Sequence, residues 1–245
     1  MKIALIGYGK MGHAIERIAQ ERGHEIVARI DADNINDMDS DAFTSADVAI
    51  EFTIPSTAAD NCLRALSRGV KVVSGTTAWQ SRLPEVKAVC EQSNATFMWS
   101  SNYSIGVNVF KAVNRYLARY MANLPQYTPS MNEVHHIHKL DHPSGTAITL
   151  AETIIDADPH LSGWTENIPA QAGELLITHE REGEVPGIHS ITWDSPVDSI
   201  TLTHSAKTRD GFALGAVMAA EWLAVRQGWH TIDEMVDDLI SNKSK

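Results

Sequence analysis

The stretch Lys2-Ile3-Ala4-Leu5-Ile6-Gly7-Tyr8-Gly9-Lys10-Met11-Gly12 sets a short apolar run directly before three glycines. Met11, Ala14, Ile15, Ile18 and Ala19 then recur on one face at helical spacing, and Gly23 is a fitting stop. A strand that feeds a glycine turn, which in turn opens a helix, is the context in which Gly-x-Gly-x-x-Gly carries meaning. Gly7 permits a tight turn, Gly9 lets the backbone approach a pyrophosphate, and Gly12 lets helix and strand pack closely. The helix start then offers unpaired N–H groups and a partial positive charge to phosphates. Gly7, Tyr8, Gly9, Lys10, Met11 and Gly12 are therefore read as a dinucleotide-binding turn.

Asp31 supports that reading. It ends the second apolar run, nineteen residues beyond Gly12. An acid there binds the ribose 2′-hydroxyl and repels a 2′-phosphate, so NADH is expected ahead of NADPH. Asp33 is a rival for the role, and a flavin is the less favoured dinucleotide. The plain alternative is a glycine turn that only joins strand to helix.

Working outward, apolar runs at 3–6, 26–30, 48–52, 70–73 and 96–99 alternate with amphipathic segments. This is the rhythm of β-α units in a parallel sheet, with strands covered on both faces. Ser56 or Thr57 is expected to cap a helix to about Arg68, and a third helix spans 83–92. After about Ser104 the pattern changes. A long helix at 107–120 precedes strand-like pieces at 130–136, 174–181, 189–193 and 199–205, which suggest a mixed or antiparallel sheet. Two further helices are expected at 212–226 and 232–241. The fold class is α/β: a Rossmann-type nucleotide domain plus an α+β mixed-sheet domain for substrate and oligomerisation.

The 31 acids against 20 bases, net −11, argue against nucleic acid or an anionic membrane as the main partner. No apolar run approaches the roughly 20 residues that span a bilayer. Two cysteines, Cys62 and Cys90, form no disulfide framework, and no signal-peptide pattern is read, so a cytoplasmic location is expected. The tryptophans are assigned to packing.

The densest chemistry lies in Glu133-Val134-His135-His136-Ile137-His138-Lys139-Leu140-Asp141-His142-Pro143-Ser144-Gly145-Thr146-Ala147. A zinc site is one reading, but there is no His-Glu-x-x-His, and adjacent His135 and His136 point to opposite faces if extended. No resident metal is expected, and a solvated loop is the bland reading. The third is an anion site with a proton donor. Lys139 can hold a carboxylate, and a histidine can move a proton near neutral pH. Ser144 reads as a helix cap that leaves Gly145 and Thr146 amides free for an anion.

This stretch resembles the signature of the 4-hydroxy-tetrahydrodipicolinate reductase family, Glu-x-His-His-x-x-Lys-x-Asp-x-Pro-Ser-Gly-Thr-Ala, at every fixed position. Gly75-Thr76-Thr77, Ser100-Ser101-Asn102-Tyr103-Ser104-Ile105-Gly106-Val107-Asn108, Arg181-x-Gly183-x-x-x-Gly187-x-His189 and Arg209-x-x-Phe212-Ala213-x-Gly215-Ala216 extend the resemblance over nearly the whole chain. It implies NAD(P)H-dependent reduction of a small dicarboxylate in lysine and diaminopimelate synthesis. His135 would donate the proton with Lys139 as its catalytic partner, while His136, Gly145 and Thr146 bind carboxylates. The glycine turn, Asp31, Gly75, Thr76, Thr77, Ser100, Ser101, Asn102 and Tyr103 would line the cofactor. It further implies a homotetramer and a domain plan of 1–103 with 213–245 for the dinucleotide and 104–212 for substrate. The glycine turn is one residue shorter than the family's usual form, and Ile137 and His142 stand where Arg and Ala are common. Ser130 and Met131 stand where Glu and Ile are frequent, and the segment between Asp31 and Val48 is short. Another NAD-linked enzyme such as aspartate dehydrogenase should lack the Lys-x-Asp-x-Pro-Ser-Gly-Thr stretch. A non-catalytic nucleotide sensor would bind NADH without oxidising it.

Overall fold

The computed structural model describes residues 1–208 and 210–241. The chain divides into two compact units, the first being Met1–Asn108 with the chain from Asp210 on, and the second Val109–Arg209. Arg209 itself, part of the last motif quoted above, lies outside the described residues.

The first unit begins with β1 (Lys2–Ile6), α1 (Lys10–Glu21), β2 (Glu25–Ile30), the short α2 (Asp41–Thr44), β3 (Val48–Glu51), α3 (Pro55–Ser67), β4 (Lys71–Ser74), α4 (Leu83–Ser93) and β5 (Phe97–Trp99). Helix α5 (Ile105–Met121) leads on to β6 (Thr128–His135), α6 (Gly145–Ala157), β7 (Gly163–Thr165), β8 (Glu174–Arg181), β9 (Ile188–Asp194) and β10 (Ser199–Ser205) of the second unit. The chain then returns to the first unit with α7 (Asp210–Ala224), β11 (Trp229–His230) and α8 (Ile232–Ile240).

In the first unit the strands pair in the order β11-β5-β4-β3-β1-β2, all parallel. The apolar runs are strands because helices cover both faces of the central ones: β1 from Ile3 to Ile6 and all of β3 are buried. Edge strand β2 departs from that expectation, with Glu25 and Arg29 exposed. Residues 31–48 hold a 3-10 turn (Ile35–Asp39) and the single turn α2 where a full crossover helix would otherwise stand. Ser40 caps α2 by accepting from the Phe43 amide at 3.2 Å, which sets Phe43 and Met38 into the core. Neither Ser56 nor Thr57 caps α3. The cap position is Ile54, without a side-chain bond, and Pro55 stands in the first turn, where its fixed φ fits and no N–H is needed.

The second unit is built on a mixed sheet, β10-β9-β6-β8-β7. β7, β8 and β6 run parallel to one another, while β9 is antiparallel to both its neighbours. One face buries Met131, Leu175, Ile177, Ile191 and Trp193 against Phe110, Ala118 and Met121 of α5 and Leu150 and Ile154 of α6. Each such side chain contributes roughly 1.5–3 kcal/mol by leaving water. The opposite face is polar: Thr192 bonds Thr201 and Ser190 bonds Thr203, each at 3.0 Å across strands. Among the described residues no helix is long and apolar enough to cross a membrane.

Candidate active site

Two constellations stand out, one in each unit. In the first, the ends of β1, β2 and β3 surround a cavity of about 520 Å³ lined by Gly7, Tyr8, Gly9, Asp31, Phe52 and Thr53 among others. It lies beyond the carboxyl ends of parallel strands, where the strand order reverses about β1, which is where open α/β sheets bind ligands. Gly7 takes φ +93°, and a Cβ there would collide with the Phe52 carbonyl oxygen; one at Gly12 would collide with the Gly7 carbonyl. A Cβ at Gly9 meets nothing within 4 Å, so that glycine guards open space rather than packing. Gly9 also caps α1 without a side chain, which leaves the first-turn amides for an anion. Gly9→Ala is therefore expected to keep the folding stability of the parent and to weaken dinucleotide binding roughly tenfold or more, about 1.4 kcal/mol. Calorimetric titration with NADH beside a thermal melt checks both halves.

Asp31 lines the cavity, whereas Asp33 does not. Its carboxylate accepts from the Ala32 amide at 2.9 Å, and Asn34 accepts from the Asp31 amide. Arg29, two residues earlier, is committed elsewhere: it pairs with Glu16, which also accepts from the Tyr8 hydroxyl. Glu51, fully buried at the end of β3, organises the neighbouring loops. It accepts from Thr53 Oγ1 and Ser74 Oγ at 2.5 Å, the Thr53 amide at 2.9 Å and Thr76 Oγ1 at 2.7 Å. The Thr76 side chain thus turns inward. Tyr103 does too, its hydroxyl donating to the Ser74 and Met98 carbonyls at 3.0 and 3.3 Å. Ser100 Oγ stays within its own turn, donating to the Asn102 carbonyl. Of the expected cofactor residues, Gly7, Tyr8, Gly9 and Asp31 meet at the cavity; Lys10, Met11, Gly12, Gly75, Thr76, Thr77 and 100–103 do not line it. A side chain at Gly75 would overlap the Phe52 ring, so Gly75 seats a cavity wall.

In the second unit the strand period of two puts Glu133 and His135 on the buried face of β6, while His136 follows on the other side. Register sets His189 of β9 opposite Glu133 and Arg181 of β8 beside His135. The face that is apolar at Met131, Ile177 and Ile191 thus becomes charged at its end. Glu133 is 0% exposed. Both its oxygens accept from the Ser144 amide at 3.1 Å, and its Oε2 lies 3.6 Å from His135 Nδ1 and from His189 Nε2. Burial pushes the Glu133 carboxyl up. The nearby His189 ring, the bonds from Ser144 and the charge of His135 outweigh it and hold the pKa at about 2. For His135 burial dominates and lowers the pKa to about 4, although Glu133 opposes it. His135 Nε2 borders Gly187, where a Cβ would lie 3.1 Å away and fill the space before that nitrogen.

Ser144 caps α6 as the spacing suggested, accepting from the Ala147 amide at 3.1 Å. The Gly145 and Thr146 amides precede that bond and donate to no described group. Lys139 Nζ is held by Asp141 at 2.6 Å, and Arg181 donates to the Lys139 and Asp141 carbonyls at 3.1 and 2.9 Å. A cationic side chain, a buried histidine and a helix N-terminus with open amides therefore lie along one short loop.

Family models described as "Dihydrodipicolinate reductase, N-terminus" and "Dihydrodipicolinate reductase, C-terminus" match residues 1–103 and 106–236. The chain belongs to the dihydrodipicolinate reductase family. It is 43% identical over 242 residues to a 4-hydroxy-tetrahydrodipicolinate reductase of Christiangramia forsetii, covering 99% of this chain and 100% of that one. A second such reductase, from Archaeoglobus fulgidus, is 33% identical over 97% of this chain and all of its own. The fold is that of the dipicolinate-bound dihydrodipicolinate reductase from Paenisporosarcina sp. TG-14, with TM-score 0.78, 21% identity and 94% and 97% of the two chains covered.

In this dihydrodipicolinate reductase family member, Glu133, His189 and Arg181 stand in the sequence motifs quoted above, but the spacing alone gave them no role as counter-charge and partners. The period-two spacing of Glu133 and His135 was the available signal. At the cavity, Phe52, Thr53 and Asn61 join the lining unannounced, because they follow the third strand without a glycine to mark them. Ile137 is 59% exposed, and its amide donates to the Gly183 carbonyl at 3.1 Å.

Proposed function

We propose that this chain reduces 4-hydroxy-tetrahydrodipicolinate to tetrahydrodipicolinate with a reduced nicotinamide dinucleotide, in lysine and diaminopimelate biosynthesis. The observation that carries the reading is the buried Glu133–His135–His189 cluster set against the open amides of α6. Overall the substrate loses one water, gains one hydride and takes up one proton. When bound, the dinucleotide supplies the hydride. Gly7, Gly9 and the α1 amides hold its phosphates, and Asp31 takes its ribose.

Lys139 Nζ, His136 and the Gly145 and Thr146 amides hold the two carboxylates. These groups are fixed before substrate arrives, so they stabilise developing charge without reorganising. His135 gives up the proton from Nε2, the nitrogen facing the space at Gly187, while Nδ1 faces Glu133. A pKa of about 4 keeps the free histidine neutral at pH 7. A dianionic ligand beside it favours the imidazolium, so substrate binding itself charges the acid.

NADH is the preferred donor in this reading, because the Asp31 carboxylate at the cavity opposes a 2′-phosphate and Arg29 is neutralised by Glu16. Asp31→Ser is expected to lower the KM for NADPH roughly tenfold and to raise that for NADH, like-charge contacts being worth kilocalories. Paired Michaelis curves at fixed ionic strength read it out. The polar Ser and Thr face of the second sheet is the surface through which a homotetramer forms. Two buried free cysteines suit the cytoplasm.

A coupled assay tests the function: generate the cyclic precursor enzymatically and follow NADH and NADPH absorbance separately. Precursor-dependent oxidation supports it. NADH binding without oxidation would return the chain to the nucleotide-sensor reading.

A further inference from the structure

We propose that His142, Glu166 and His179 form a divalent transition-metal site that ties the Lys139 loop to the second sheet. His142 Nδ1 and His179 Nδ1 each lie 2.9 Å from the same Glu166 Oε1. All three donor atoms fall within 4.8 Å of one another. Two imidazoles and a carboxylate are the borderline donors that zinc and nickel take, and a poor set for calcium or magnesium. Zinc bonds of about 2.0–2.1 Å put tetrahedral ligands roughly 3.3 Å apart, so the 2.9 Å edges need to open only slightly. The three side chains are 48%, 27% and 34% exposed, which leaves a fourth position for water.

Two of the ligands are held by the sheet. His179 lies in β8, and Glu166 directly follows β7, its paired neighbour. His142 comes from the loop between β6 and α6, one residue after the Asp141 that holds Lys139. In the structure the two rings stack, with centroids 4.1 Å apart and planes at 19°. A metal must lie in the plane of each ring, so one imidazole turns about its side-chain bonds on binding. His142, the most exposed and the one on a loop, is the ring that turns. Arg181 grips the same loop by its Lys139 and Asp141 carbonyls, so a metal at His142 adds a second clamp at the loop's far end. Metal binding is independent of the reductase reading; the consequence for Lys139 rests on it.

In the sequence, the histidines that suggest zinc are neighbours in the run His135–His142. The fold uses one of these, His142, with two partners distant in sequence. The buried set Glu133, His135 and His189 is a separate cluster, closed by the Ser144 amide.

The test is equilibrium dialysis of the full-length, chelator-stripped protein against micromolar zinc, with metal counted per chain and thermal melts taken alongside. Wild type and His135→Gln are expected to bind one zinc per chain and to melt higher with it. His142→Ala and Glu166→Gln are expected to lose both the zinc and the upshift, while their metal-free melts match wild type. In hydrogen exchange, zinc should slow amides 137–142 of wild type but not those of His142→Ala. No bound zinc in wild type, or zinc retained in His142→Ala, overturns the site. Bound zinc with unchanged exchange in the loop overturns the clamp. Failure of the precursor assay with zinc binding intact would remove the reductase reading and the consequence for Lys139, and leave the metal site standing.

Discussion

Replacing His135 by Gln is expected to lower kcat by about 10²–10⁴-fold, the usual contribution of a positioned general acid. The affinity for NADH should stay within error of wild type, because no dinucleotide-binding group is touched. The amide is similar in size and can still fill the site at the end of β6, where His135 is only 7% exposed. It cannot carry a transferable proton. Single-turnover rates with saturating NADH separate this from a binding defect. Near-normal turnover would take the histidine out of the mechanism.

The second large effect belongs to Glu133. Its charge is buried among His135, His189 and the Ser144 amide, so cutting it back to Ala leaves that amide without its acceptor and removes the carboxylate 3.6 Å from both imidazoles. With His135 uncharged at neutral pH, the cost is that of a buried amide left without its acceptor, roughly 1–3 kcal/mol. Glu133→Ala should therefore melt well below wild type. Glu133→Gln keeps an acceptor for Ser144 but removes the charge that favours protonated His135. It is expected to retain most stability while kcat drops at least about tenfold, one pKa unit being 1.36 kcal/mol.

The acid limb of the stability curve follows from the same pair. Folded His135 titrates at about 4, below the ordinary 6.5 of an exposed imidazole, so the unfolded chain binds more protons between these values. That contribution is complete above pH 6.5 and is lost as pH falls toward 4. Glu133 is held at about 2 against 4.5, so its contribution is complete above 4.5 and disappears as pH falls toward 2. Urea titrations from pH 7 down to 3 should show stability falling in two successive windows, with the lower one missing in Glu133→Gln.

Much of this was legible in the sequence for physical reasons. The unbroken apolar runs of β1 and β3 announce strands buried on both faces, and Gly7 and Gly12 announce a turn no larger residue can make. Ser144 announced its cap by chemistry that acts within three residues. What stayed hidden depends on partners far along the chain. Glu133 meets His189 only through the register of β6 with β9, and Glu51 gathers Ser74 and Thr76 only across β3 and β4. Thr76 and Tyr103 read as cofactor residues by position, yet their side chains serve the core, because the direction of a loop side chain is set by packing. The replacement of a crossover helix by the short turns after Asp31 was visible only as a short segment.

In the proposed mechanism an uncharged, buried His135 becomes the proton donor when a dicarboxylate arrives. Isothermal titration with dipicolinate, repeated in buffers of different ionisation enthalpy, measures that charging directly. Net uptake approaching one proton per chain is expected at pH 5.5–6, above the free pKa of about 4, with a marked loss of uptake in His135→Gln. Binding without proton uptake anywhere between pH 5 and 7, or uptake unchanged in His135→Gln, would contradict it.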